Sequence, residues 1–298
     1  MTTAQVICAG IVTVDLVFST GAEVALREKN RALASRMVPG GCALNAAFAI
    51  ARLGGRATLA GMTGDDPFGD WLRQEVAAAG VDARLLGVRP GVTTSRSAVL
   101  VAPDGERTII NDRPEALYAE GLSDVDLGDA GAVLTDTRWP SGATDLLAAA
   151  RAAGLPGVID AEAPVGHAGE ALRLASHIAF SEQGLAEFAG GADAAALARA
   201  ARDLGCWVCV TRGPAPVICH DGTELTEQPT FPVTAVDTLG AGDVWHGAFA
   251  LALAEGRPEA EAVRFANAAG ALKTTRRGGA DDLPDRTEIL RLMEDYPR

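Results

Sequence analysis

SRSAVLVAPDGERTII, residues 95–110, consists of two β-rich runs around Ala102-Pro103-Asp104-Gly105, a strong turn sequence. No helix separates the runs, so they are expected to pair as an antiparallel hairpin. The surrounding chain follows another rhythm. Apolar strand candidates lie at Val6 to Ile11, Thr58 to Gly61, Ala132 to Asp136, Gly157 to Asp160, His177 to Phe180 and Cys206 to Thr211. They alternate with helical patterns at Ala43 to Leu53, Phe68 to Ala79, Gly142 to Ala153, Ala192 to Leu204, Val244 to Ala254 and Ala260 to Thr274. Continuous apolar strands alternating with helices predict an α/β fold, with a mainly parallel central sheet covered on both faces. The hairpin does not belong to that core. With a second extended run near Val14 to Phe18, it predicts a small β lid, about residues 12–38 and 92–115, on a single domain spanning 1–298. Such lids cover sites and exclude water. In parallel sheets, ligands bind beyond the carboxyl ends of the strands.

Charge narrows the range of functions. The 298 residues hold 39 acidic and 26 basic side chains, a formal charge of −13. A nucleic-acid partner needs a basic face for counterion release, and anionic lipid would be repelled. An anionic ligand therefore has to be held by a local site. The first stretch, MTTAQVICAGIVTVDLVF, has no basic leader and carries Asp15 inside its apolar run, so it reads as a first strand, not a signal peptide. No stretch approaches the ~18 uncharged apolar residues of a membrane span. Five cysteines at irregular spacing suit a reducing cytoplasm. The Cys206-x-x-Cys209 pair lies in a strand-like run, where positions three apart face opposite sides, and reads as structural.

Two glycine-rich segments carry the chemistry. In VDTLGAGDVWHGAFALAL, residues 236–253, Gly240, Ala241 and Gly242 precede a helix that begins near Asp243. Small residues let backbone N–H groups converge, and the helix dipole adds positive potential, so the turn is an anion site. Asp243 there is either a helix cap or a base that takes a proton from a hydroxyl beside a transferring phosphoryl group. In PGGCALNAAFAIARLGG, residues 39–55, Gly40 and Gly41 open a helix that carries Asn45, whose amide can both donate to and accept from sugar hydroxyls. Neither a GxxxxGK[ST] loop nor a GxGxxG after the first strand is present, and no HExxH offers a permanent metal site. The four scattered histidines read as structural, with His246 one helical turn after Asp243.

With Gly64-Asp65-Asp66-Pro67-Phe68-Gly69, Thr211-Arg212-Gly213 and Phe265-Ala266-Asn267-Ala268, these two segments resemble the PfkB, or ribokinase-like, carbohydrate kinases over essentially the whole chain. The resemblance implies that Asp243 is the general base for a primary sugar hydroxyl, and that the N–H groups of Gly240, Ala241 and Gly242 receive the γ-phosphoryl group of ATP. It implies that Asp15, Gly40, Gly41 and Asn45 bind the sugar. Thr211 and Gly213 would line the nucleotide site, with Asn267 and Ala271 near the adenine. Mg2+ would arrive with ATP, and K+ is often held near Asp237 and the Arg276–Gly279 loop. The lid would frequently form a homodimer interface. Two departures stand out. The family's Asn-x-x-Glu is replaced by Ser181-Glu182-Gln183-Gly184, leaving Glu182 to reach magnesium through water, and Leu239 stands where a Thr or Ser is usual.

Within the family the chain is similar to the sulfofructose kinases, through Glu106-Arg107 to Asn111, Asp136-Thr137-Arg138-Trp139 and Ala179-Phe180-Ser181-Glu182. That similarity implies an anionic ketose such as 6-deoxy-6-sulfofructose, phosphorylated to the 1-phosphate. A sugar with a fixed anion needs a cation, and Arg138 follows a core strand at its carboxyl end, with Asn111 as a further donor. The alternative for Arg138 is a pairing with Asp136 or Glu162. Asn45, absent from the sulfofructose kinases, keeps a fructokinase, a ribokinase and a 2-keto-3-deoxygluconate kinase open. A sugar-sensing pseudokinase is the non-enzymatic alternative, against which the intact Asp243 argues.

Overall fold

The computed structural model describes residues 3–25, 27–103, 107–123, 125–278 and 282–297. The chain runs β1 (Gln5–Ala9), β2 (Thr13–Thr20), β3 (Ala32–Gly40), α1 (Cys42–Arg52), β4 (Arg56–Gly64), α2 (Pro67–Ala78) and β5 (Asp82–Arg89). It continues through β6 (Arg96–Val101), β7 (Arg107–Asp112), β8 (Ala132–Asp136), α3 (Pro140–Ala152), β9 (Gly157–Ala161), α4 (Gly169–Leu174), β10 (His177–Ser181) and α5 (Glu182–Ala189). The last elements are α6 (Ala194–Leu204), β11 (Trp207–Arg212), β12 (Ala215–His220), β13 (Leu225–Gln228), α7 (Ala241–Ala254), α8 (Glu259–Thr274) and α9 (Arg286–Asp295).

The large sheet has the order β13-β12-β11-β10-β9-β8-β1-β4-β5 and is parallel from β11 to β5, with β12 and β13 added antiparallel at one edge. Its central strands β1, β8 and β9 are buried at every position because both pleat faces are covered. On β1, Val6 and Cys8 join the core beneath α1, α7 and α8, whereas Ile7 and Ala9 join the core beneath α3 to α6. Cys206 and Cys209 fall in opposite cores in the same way, and all five cysteines are free. Helix α7 lies in the middle of one layer, buried at every position from Val244 to Leu253. No described helix is long and apolar enough to cross a membrane.

The expected hairpin is β6 paired antiparallel with β7, from Arg96 opposite Asp112 to Val101 opposite Arg107. Part of its turn, residues 104–106, lies outside the described residues. The hairpin joins a separate four-stranded sheet of order β3-β2-β6-β7. The expected helix from Ala192 to Leu204 corresponds to α6, and the short α5 before it was not anticipated.

The chain enters α1 through Gly41 at φ +104°, where a Cβ would meet the Ile11 carbonyl oxygen at 2.2 Å. Gly54, at φ +82° after the same helix, has open space around it. Gly54→Ala is therefore expected to cost about 1 kcal/mol from left-handed backbone alone, and Gly41→Ala at least ~2 kcal/mol, because backbone must also move. Urea unfolding of the two variants checks this, and equal losses would contradict the account.

Candidate active site

In the sheet, β1 lies between β8 and β4, where the chain's progression across the sheet reverses, and the crevice beyond such a point is a ligand site. Asp136, the last residue of β8, closes the floor of that crevice. Its Oδ2 accepts from Ile11 N–H at 2.8 Å and its Oδ1 from Arg138 N–H at 2.8 Å. Burial raises its pKa, although both oxygens are satisfied by backbone. Asp136 is thus a brace between two strand ends.

Asp243 lies in the first turn of α7, facing α1. The two helices pack closely because Gly247 has no side chain; a Cβ there would come within 2.7 Å of the Ala46 carbonyl oxygen. This approach lets Asn45 Nδ2 donate to Asp243 Oδ2 at 2.7 Å. Burial pushes the Asp243 pKa up to about 6; the Asn45 bond opposes that shift, and the charges of Glu162 and Asp136 add to it. An acid with this pKa is mostly ionised at neutral pH yet basic enough to accept a proton. Before it, Gly240 adopts the left-handed region at φ +72° and caps α7. Among the described residues the N–H groups of Gly240, Gly242 and Asp243 meet no protein acceptor, whereas Ala241 N–H is directed at the Thr238 carbonyl at 3.3 Å. The three free donors thus include Asp243's own N–H in place of the expected Ala241.

Two further groups crowd this acid. Asp160, near the end of β9 and in register with Asp136, places its carboxylate with the Cys42 thiol and the Asp243 carboxylate within 4.8 Å of one another. Burial, then the charges of Asp243, Glu162 and Asp136, push its pKa well up. Its Oδ2 is 3.4 Å from Nδ1 of His246, whose buried ring has no well-formed hydrogen bond and a pKa lowered to about 4 by burial. Asp160 ends its strand as Asp136 does, which is the sequence signal that could have marked it. Cys42 carried none beyond following Gly41.

The small sheet supplies the opposite wall. Cross-strand pairing aligns Asp15, Ser97 and Asn111 in one row. The Ser97 hydroxyl donates to Asn111 Oδ1 at 3.0 Å, and Asp15 is raised by burial, with Ser97 and Arg113 opposing. A Cβ on Gly40 would fall 2.2 Å from Asp15 Oδ2, so these two residues adjoin. Asp15, Asn45, Gly240 and Lys273 line one small cavity of about 30 Å3. Arg113 was missed by sequence reasoning. Its Nη2 is 3.3 Å from Asn111 Oδ1, and among the described residues no carboxylate lies within 4 Å of it.

Arg138 is already occupied. Its Nη2 donates to Glu162 Oε2 and to the Ala163 carbonyl, both at 2.7 Å, which is the pairing weighed as the alternative. Asn267 also departs from expectation: 3% exposed, it accepts from Trp245 Nε1 at 2.7 Å and donates to the Pro229 carbonyl at 3.0 Å. Its amide braces α7 to α8, while Ala271, one turn further on, is half-buried. Thr211 closes β11, with its hydroxyl on the Phe180 carbonyl at 3.3 Å, and Gly213 forms the following turn at φ +56°. Glu182 is exposed at the first position of α5, beyond the carboxyl end of β10. Asp237 Oδ1 accepts from Leu239 N–H at 2.9 Å, and Arg107 of the small sheet reaches to 3.8 Å from the same oxygen.

A proton acceptor and three convergent N–H donors, faced by a polar sheet, can transfer an anionic group to a hydroxyl. Known proteins agree with this arrangement. The chain is 30% identical to the ribokinase of Bacillus subtilis over 296 residues, covering 95% of this chain and 97% of that protein. It is 32% identical to the fructokinase of Klebsiella pneumoniae over 281 residues, covering 86% and 92% respectively. Its structure superposes on that of Arabidopsis thaliana ribokinase, complexed with ribose and ATP, with a TM-score of 0.86 at 26% identity, over 99% of both chains. Residues 3–286 match the pfkB family carbohydrate kinases, and the chain belongs to that family.

Proposed function

We propose that this sugar kinase transfers the γ-phosphoryl group of ATP to a primary hydroxyl of a ketose, working as one domain whose lid is formed by about residues 12–38 and 92–115. The observation that carries the reading is Asp243, held by Asn45 beside three unpartnered N–H groups at the start of α7. Asn45 engages Oδ2, which leaves Oδ1 to accept the hydroxyl proton. The amides of Gly240, Gly242 and Asp243 then balance charge on the transferring group. Asp15 and Asn111 hold hydroxyls of the sugar from the lid, and closure keeps water from competing for the phosphoryl group. The free amides suit a phosphate. The exposed carboxylate of Glu182 suits a hydrated Mg2+, which would enter with ATP and neutralise phosphate charge. Thr211, Gly213 and Ala271 border the nucleotide, and Asn267 supports them from behind.

For the acceptor, an anionic ketose such as 6-deoxy-6-sulfofructose is supported by the guanidinium of Arg113 beside Asn111. Fructose is the second reading, favoured by the hold of Glu162 on Arg138 and by the likeness to a fructokinase. Free thiols fit a reducing, cytoplasmic setting. The outer lid face, where Met37 and Ile110 are 40% and 62% exposed, supports a homodimer through the lid.

Asp243→Asn is expected to retain sugar binding and lose about 10²–10⁴-fold in kcat, measured by coupled ADP release; near-normal turnover would remove the base. With the wild type, kcat/KM should be half-maximal near pH 6 and fall below it, since Asp243 must be ionised and its pKa is raised to about 6. A half-point near 4 would contradict the burial account. Arg113→Ala should raise KM for sulfofructose on the order of tenfold while leaving fructose unaffected. Equal changes for both sugars would exclude an anionic subsite at Arg113.

A further inference from the structure

Resemblance to the family implies a potassium ion near Asp237 and the loop of residues 276–279; of that loop residues 276–278 are described, and with Asp237 they do not fit a dissolved cation. Lys273, in the last turn of α8, is 2% exposed. Its Nζ donates to the Gly278 carbonyl at 3.1 Å, so the loop carbonyl already faces an ammonium group. Asp237 and Asp282 attract that ammonium, Arg107 and Arg36 oppose it, and burial lowers its pKa. Asp237 itself has the Arg107 guanidinium at 3.8 Å. One carboxylate flanked by a guanidinium and a nearby ammonium has little attraction left for a further positive ion.

Burying a lysine is costly unless its charge is compensated. The location suggests what that burial maintains. Val236 and Asp237 both donate to the Thr274 carbonyl, at 2.7 and 3.0 Å, which fastens the approach to the anion-binding turn onto the end of α8. Lys273 lines the small cavity together with Leu239 and Gly240 of that turn and with Gly278. Lys273 thus borders the turn through this cavity, while its ammonium is bonded to the loop.

We infer that Lys273 is a tethered monovalent cation: its ammonium holds the 236–240 turn against the 276–278 loop, so that phosphoryl transfer needs no potassium. This rests on the kinase reading above. Lys273 is argued to act through the turn and is a positioning residue. An ammonium and a potassium ion are similar in size and charge, so removing the side chain should leave a place that potassium fills.

The test is steady-state kinetics in tetramethylammonium buffers at constant ionic strength, with and without potassium, sodium or lithium chloride. Wild-type kcat should be the same in all of them. Lys273→Ala should lose about tenfold in kcat and regain most of it with potassium but not with lithium. Lys273→Met, which fills the same space without charge, should lose activity and show no rescue. Cation-selective rescue is something a merely structural lysine would not produce. Several-fold activation of the wild type by potassium would overturn the inference without need of any variant, and so would a Lys273→Ala protein that folds but ignores potassium. Absence of wild-type sugar phosphorylation under every cation would instead remove the kinase reading, and this inference with it.

Discussion

Negative charge concentrated at one end of a parallel sheet is the constraint on which this molecule is organised. Asp136, Asp160, Glu162 and Asp243 meet where β8 and β9 end and α7 begins, and burial makes each further charge harder to keep. The fold answers each acid differently. Backbone N–H groups take both oxygens of Asp136, Arg138 takes Glu162, and an imidazole lies beside Asp160. Asp243 is held through one oxygen by Asn45, and its pKa is pushed up to about 6.

Positive groups are distributed with the same economy. Arg138 neutralises Glu162, Arg107 crosses from the small sheet to Thr238 and Asp237, and Lys273 borders the anion-binding turn. A chain with a formal charge of −13 draws a phosphorylated nucleotide in only where such local cations and free amides coincide.

Much of this was legible in the sequence where the signal is local. β8 occupies the residues Ala132–Asp136 that its apolar run indicated, since all five of its positions are buried and no exposed residue blurs its ends. The Asp243 and Asn45 segments were legible because glycine and a helix start are adjacent in sequence. The β-rich runs at 95–110 were recognisable, yet the parallel pairing of β6 with β2 was not, since register across so many residues is set by the folded sheet. α5 was passed over because eight residues carry little periodicity. The misjudged side chains are those whose fate depends on a distant partner: Asn267 turns inward to Trp245, and Arg138 turns to Glu162. Cys42 and Asp160 come together only because α1 begins where β9 ends.

The row Asp15–Ser97–Asn111 belongs to the small sheet, whereas Asp243 and its amides belong to α7 in the large layer. On the proposed reading, recognition of the acceptor and the transfer chemistry are encoded in separate blocks of the chain. Descendants of such a protein can exchange one carbohydrate for another by drifting in a few strands, with the reactive centre passed on unaltered.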